Sequence, residues 1–406
     1  MKLLIILVAL LGLAYSFLLK AVELGSAKNP TPANVADVYD EETYEKWRRY
    51  NAEHSRLSII FGIISAVATI ALLVFNVYAA FAGLFPAGTF WQLFAVILLE
   101  VLVSFIIGIP ESYISIMVIE EKYGFNRSTV KTFAVDQIRN LLLSLAMSLF
   151  LAGLVAVAHI WLGNYMAILC IIVLVLFVIG MSFLSPILSR IGNKFVPLEE
   201  GELRTSLENL LTSHGYQVRA IEVMDASRRT TKLNAYFTGM GKMKTIVLYD
   251  NLVAAMTPEE ICAVFSHELG HGLHKDVTKL QVVNTLNFVL IALAAWLFAS
   301  ADGFYTAFGF EGLNYGFTYI LLGIGMAVIQ PFTSLITNGM SRKFEYAADR
   351  QAVEEGYGEA MIPALKKLAK DNFANLAPSP LYVFLEYSHP PIDQRIEAIE
   401  KALARK

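Results

Sequence analysis

Residues 3–22 read LLIILVALLGLAYSFLLKAV, and stretches of the same character recur along the chain. A run of about 20 apolar residues has few folds open to it, because in lipid every backbone N–H and C=O must be satisfied within the segment, and a helix does that. Candidate spans fall at 3–23, 57–82, 91–118, 136–161, 166–188, 279–301 and 313–338, about seven in all. The first is longer than the roughly 7–15-residue apolar region of a cleaved leader and has no small-x-small cleavage site, so it reads as a span. Composition agrees: 17% of the 406 residues are charged and 56% hydrophobic, against about 25% charged in an ordinary soluble domain. The formal net charge of −3 gives no basic face for a nucleic acid. Cys170 and Cys262 lie in apolar or helical surroundings and read as packing residues.

Basic residues orient the spans. Lys28, Lys46, Arg48, Arg49 and Arg56 follow the first and Lys122, Arg127 and Lys131 follow the third, whereas GLFPAGTF, WLGNY and ADGFYTAFGFEG carry none. Positive residues collect on the cytoplasmic side, so the segment 189–278 and the C-terminal tail are expected to share that compartment. The polar stretch EETYEKWRRYNAEHSR between the first two spans reads as helical.

Segment 189–278 has the pattern of a small α+β domain. GELRTSLENLLTSHGY spaces Leu203, Leu207, Leu210 and Leu211 helically before Gly215. AIEVMD, NAYFTG and KTIVLYD read as short strands, with GMGKM turning between the last two. A helix then starts at TPEEICAVF, with Thr257 as N-cap, Pro258 at the first helical position and Glu260 closing a capping box.

That helix carries FSHELGHGLHKD. His267 and His271, four residues apart, lie on one face a turn apart, where a single divalent metal can meet both, and Glu268 stands beside them. This is the HExxH pattern, in which neutral imidazoles hold Zn²⁺ and the glutamate takes a proton from the water activated there. A catalytic zinc usually has three protein ligands. His274 and Val277 occupy the positions at which a longer motif has its glycine and third histidine, so the third ligand must come from elsewhere. His274 reads as an ordinary polar neighbour. After the last span, SRKFEYAADRQAVEEG places Glu345 and Asp349 four apart on one helical face, so that one carboxylate can ligate while the other orients an imidazole.

The chain resembles the type I CAAX prenyl endopeptidases, integral-membrane zinc metalloproteases of the endoplasmic reticulum in eukaryotes, with bacterial relatives. The likeness runs through EEKYGFNRST, NKFVPLEEGEL, NAYFTG, IVLYDNL, SHELGHG, SRKFEYAAD and YSHPPIDQRI, in that order. It implies one zinc per chain on His267, His271 and Glu345, with Glu268 as general base and Asp349 steadying a ligand. It also implies a peptide lying as an added strand beside Asn234, Ala235 and Tyr236, and His389 near the scissile carbonyl. The fold implied is an α-helical membrane protein of about seven helices around a water-filled chamber, closed on the cytoplasmic side by a small α+β, gluzincin-like zinc protease domain. Its divisions are spans at 1–188, a catalytic piece at 189–278, spans at 279–338 and a catalytic tail at 339–406. Gln281, Asn284 and Asn287, with Glu100, Glu111, Asp136 and Asn140, are polar groups at or near membrane depth, suited to a water-filled interior or to bonds between packed helices.

Two residues of the tail have roles of their own to fill. His389, held out of helix by Pro390 and Pro391, is a candidate donor to the oxyanion. Arg395 is a candidate anchor for the substrate's C-terminal carboxylate. The expected function is cleavage of short C-terminal segments, the -aaX tripeptide of prenylated proteins by resemblance, with a peptide or protein substrate, isoprenylated or not, and membrane lipids as partners. The setting is the endoplasmic reticulum membrane in a eukaryote or the inner membrane in a bacterium. The alternatives are a quality-control metalloprotease acting on unprenylated proteins and a seven-helix transporter or receptor with a vestigial metal site.

Overall fold

The computed structural model describes residues 1–190, 193–238 and 243–406. Among the described residues, six stretches are long and apolar enough to cross a membrane: Lys2–Ser26, Glu41–Val74, Thr89–Tyr123, Val130–Met181, Asp276–Ala299 and Tyr315–Glu354. The fourth is a hairpin. A 3₁₀ turn at Gly163–Tyr165, with Gly163 at φ 51°, separates helix Val130–Leu162 from helix Met166–Leu188, so the expected seven helices are present.

Polar caps mark where these helices start. Asp40 accepts from the Thr43 N–H, Thr129 from Thr132 and Asn314 from Phe317, each satisfying an otherwise orphaned N–H. EETYEKWRRYNAEHSR is helical as expected and continues unbroken into the second span. Thr89–Tyr113 runs on through a π-helical stretch, Ile114–Glu120, ahead of EEKYGFNRST. Leu3, Leu7, Leu11, Ile60, Ile63 and Val67 present apolar side chains outward, as a lipid-facing surface requires.

Small residues let the helices approach. A Cβ added at Gly12 would sit 3.1 Å from the Ala327 Cβ, and one at Gly316 would strike the Leu93 carbonyl at 2.7 Å. The polar groups at depth use both of their expected environments. Tyr78 donates to Glu100 across helices, and Ser148 bonds Tyr319. Glu100 and Asn140 also line a cavity of about 330 Å³. An adjoining apolar cavity of about 560 Å³ reaches Phe177, Cys170 and Phe288. Cys170 and Cys262 are buried free thiols.

The α+β unit is a four-stranded sheet, β1 (Phe195–Pro197), β2 (Gln217–Met224), β3 (Ala235–Thr238) and β4 (Met243–Tyr249), in the order β1-β2-β4-β3. β2 and β4 are parallel, and β1 and β3 run antiparallel to their neighbours, so β3 is an edge. In the expected GMGKM turn, residues 239–242 lie outside the described residues. β1 had no sequence signal: three residues ending in proline are too few to show alternation. Helix Glu202–Ser213 packs Leu207, Leu210 and Leu211 into this core with Ile246 and Leu248.

A second polar-side core joins the two ends of the chain: Val35, Val38, Tyr39 and Trp47 pack with Met361, Leu365, Ile396 and Ile399. The helix Tyr315–Glu354, 40 residues without a break despite Pro331, carries the last span directly into this region, so a division at 338/339 falls within one helix.

Candidate metal centre

Helix Pro258–Leu273 begins as its sequence dictates, with Thr257 accepting from the Glu260 N–H, the Glu260 carboxylate accepting from the Thr257 N–H, and Pro258 in the first turn. It crosses the long helix Tyr315–Glu354 at a point where neither backbone has room to spare. A Cβ on Gly270 would lie 3.0 Å from the Ala348 Cα. Gly270 is inside the HExxH turn and Ala348 is between Glu345 and Asp349, so this close approach of the two helices is also where the histidine and carboxylate side chains meet.

There the two imidazoles take the same posture. His267 turns Nδ1 to the Asp349 carboxylate at 2.9 Å, and His271 turns Nδ1 to Asp276 at 3.1 Å. Both Nε2 atoms therefore face Glu345, at 3.4 Å from His267 to Oε2 and 3.3 Å from His271 to Oε1. Two ligands of a tetrahedral ion, each about 2.0–2.1 Å from it, stand about 3.3–3.4 Å apart. One donor atom from each of the three residues lies within 4.8 Å of the others.

The carboxylate between the two imidazoles is buried: Glu345 is 3% exposed, and its Oε2 is met by the Arg395 guanidinium at 3.3 Å and by His267 Nε2 at 3.4 Å, so it stays a charged donor inside the cluster. Glu268, Glu345 and Asp349 outnumber the single guanidinium of Arg395 here. The surplus negative charge shows in the histidines. Burial and the Arg395 charge push His267 down, but its hydrogen bonds to Asp349 and Glu345 prevail and raise it to about 9. His271 is raised too, its bonds to Glu345 and Asp276 outweighing burial. The donor set, its spacing and its charge fit a divalent ion.

Glu268 is half-buried and has no hydrogen-bond or ion-pair partner among the described residues, so its carboxylate is free to handle a proton. His389, in the loop before helix Ile392–Leu403, brings Nε2 to 3.2 Å from Glu345 Oε1 while remaining largely exposed. Arg342, one turn before Glu345, secures that loop's approach by donating to the carbonyls of Val383 and Tyr387.

Arg395 differs from its expected use. It is buried, with Nε and Nη2 closed on the two oxygens of Asp349 at 2.9 and 2.6 Å and Nη1 3.3 Å from Glu345. The fork that was expected to grip a substrate carboxylate grips the cluster's own carboxylates, because helix Ile392–Leu403 folds back against the long helix. Asp276 has no counterpart in the sequence reading. It lies beyond the end of the histidine helix, and only the left-handed turn at Lys275, φ 56°, swings it back toward His271. That turn leaves no motif. His274 caps the helix end and joins none of these contacts. Asn234, Ala235 and Tyr236 stand at the start of edge strand β3, which packs beside the histidine helix.

Residues 22–190 match the family described as CAAX prenyl protease N-terminal, five membrane helices, and residues 197–403 match Peptidase family M48. The CAAX prenyl protease 1 homolog of Arabidopsis thaliana is 31% identical over 393 residues, covering 93% of this chain and 92% of that protein. CAAX prenyl protease 1 of Saccharomyces cerevisiae is 29% identical over 419 residues, covering 92% and 89%. The crystal structure of S. mikatae Ste24p superposes with a TM-score of 0.90 at 27% identity, covering 98% of this chain and 99% of that one.

Proposed function

The chain belongs to peptidase family M48 and carries the N-terminal module of the CAAX prenyl proteases, a multi-pass membrane endopeptidase, and from that premise we propose that it is zinc-dependent and removes short C-terminal segments. The ion is held by His267, His271 and Glu345. Asp349 and Asp276 fix the two rings through Nδ1, and Arg395 holds Asp349 and Glu345 in place. The observation that carries the reading is the pair of 3.3 and 3.4 Å gaps between the two imidazole Nε2 atoms and the buried Glu345 carboxylate.

Zinc, when bound there, supplies a Lewis acid that polarises the scissile carbonyl and makes water nucleophilic near neutral pH. The remaining work falls to side chains. Glu268 takes the proton of the attacking water and delivers it to the departing amide nitrogen, so that neither a strong base nor a free amide anion forms. His389 donates its Nε2–H to the oxygen that gains charge. The substrate backbone adds to the open edge of β3 at Asn234, Ala235 and Tyr236, main-chain bonds supplying affinity with little regard to side chain. The basic connections support a cytoplasmic side for 189–278 and 339–406. The names of the relatives support prenylated CAAX proteins as the substrate class.

The test is metal analysis of the purified protein together with mass spectrometry of digests of farnesylated and unprenylated CAAX peptides. We expect about one zinc per chain and release of the terminal tripeptide from the farnesylated peptide. Equal cleavage of both peptides at scattered positions would favour the quality-control reading, and stoichiometric zinc without cleavage of either would favour a non-enzymatic one.

A further inference from the structure

Strand β3 is four residues long and, among the described residues, pairs with β4 alone, yet the segment that feeds it is held at several points. Six backbone groups between Arg229 and Leu233 are bound from three remote elements. The Asn251 Nδ2 donates to the carbonyls of Lys232 at 2.7 Å and Thr230 at 3.3 Å. Asn372 accepts from the Leu233 N–H at 3.1 Å and donates to the Leu233 carbonyl at 3.3 Å, doing with one side-chain amide what a neighbouring strand does with a residue. From the loop that follows the third span, the Arg127 N–H donates to the Arg229 carbonyl and the Phe125 carbonyl accepts from Thr231. Leu233 itself is buried. One residue later these restraints give way to the β4 ladder, where the Tyr249 N–H donates to the Asn234 carbonyl.

An edge strand that takes a guest strand must hold its register with no partner on the guest's side. A slip of one residue turns every side chain to the other face and moves the guest carbonyl by about 3.3 Å. We infer that Asn251 and Asn372 are positioning residues for catalysis: by clamping residues 230–233 they fix the register and stiffness of β3, and so the depth at which a substrate's scissile bond meets the metal centre. The inference rests on the reading of β3 as the substrate edge. Both residues need to be amides. A carboxylate at 251 would face two carbonyls, and one at 372 would keep the bond from the Leu233 N–H while losing the bond to its carbonyl.

The experiment uses full-length protein, a farnesylated CAAX peptide, and ester analogues of that peptide in which single amide N–H groups ahead of the cleavage point are replaced by oxygen. Wild type should discriminate against at least one ester by about tenfold in KM, the worth of one backbone hydrogen bond. Asn251→Asp and Asn372→Asp should each lower kcat/KM for the amide peptide by about tenfold while zinc content holds, and the ester penalty should shrink to under about threefold, because a loosened edge no longer makes the bond that the ester removes. A full ester penalty in both variants overturns the clamp and leaves the substrate-edge reading intact. If wild type itself ignores every ester, the edge-strand reading fails and the clamp fails with it. Loss of zinc from one variant shifts the test to the other, since they act from different elements; loss from both would assign the two amides to the fold and end the proposal.

Discussion

The membrane bundle and the metal centre solve opposite problems with the same element, a pair of crossing helices. In the bundle, Gly12 against Ala327 and Gly316 against Leu93 bring helices together over apolar surface, and polar contacts such as Tyr78 with Glu100 and His159 with Tyr315 join helices in separate pairs. At the centre, Gly270 against Ala348 makes an equally close approach, but the side chains flanking it are His267, His271, Glu345 and Asp349, each with its orientation fixed by another charged or ring group. Close packing is thus common to both, and what distinguishes the site is that its polar groups are chained together, so that a change to one member is felt by the rest.

The comparison breaks most readily at the ligands. His267→Ala should abolish peptidase activity and strip the zinc, since two ligands do not make a site, whereas retention of stoichiometric zinc would show that the ion is held elsewhere. Glu268→Gln should separate chemistry from binding: metal analysis unchanged, turnover lower by about 10²–10⁴-fold, the usual cost of losing a general base. Replacing Asp349, Arg395 or Asp276 by alanine should cost about 10–100-fold in zinc affinity or activity, because the ring or the ligating carboxylate is then free to turn, and a zinc titration would rank the three. In the bundle, Glu100→Gln should cost only about 0.6 kcal/mol in thermal stability in detergent, as interhelical polar contacts in membranes do. A loss of activity there as large as that of Asp349→Ala would mean that the bundle and the centre are one network.

What could be read from sequence followed from how local each signal was. The spans could be read because lipid demands about 20 consecutive apolar residues, and the HExxH helix because its cap, its proline and its four-residue spacing all lie within one segment. Glu345 and Asp349 could be paired because they share a helix face. Arg395's partners are not legible because a guanidinium advertises its preference for carboxylates without saying whose, and only the fold brings Asp349 within 2.6 Å. Asp276 was missed because its approach to His271 depends on one backbone angle at Lys275. β1 and the clamps on residues 230–233 consist of backbone bonds between distant segments, which leave no periodic trace.

The unbroken helix from Tyr315 to Glu354 makes the membrane bundle a surveying datum for the metal centre. Glu345 lies about 45 Å along that rod from Tyr315, at 1.5 Å per residue. A rotation of the rod by about 1° about its far end therefore carries the carboxylate sideways by about 0.8 Å, several times the roughly 0.2 Å within which metal–ligand distances hold. Tyr315, Phe317 and Leu321, buried in the bundle at one end, and the ligand at the other form a single lever, and a fragment cut free of the bundle would lose the fulcrum that aims the site.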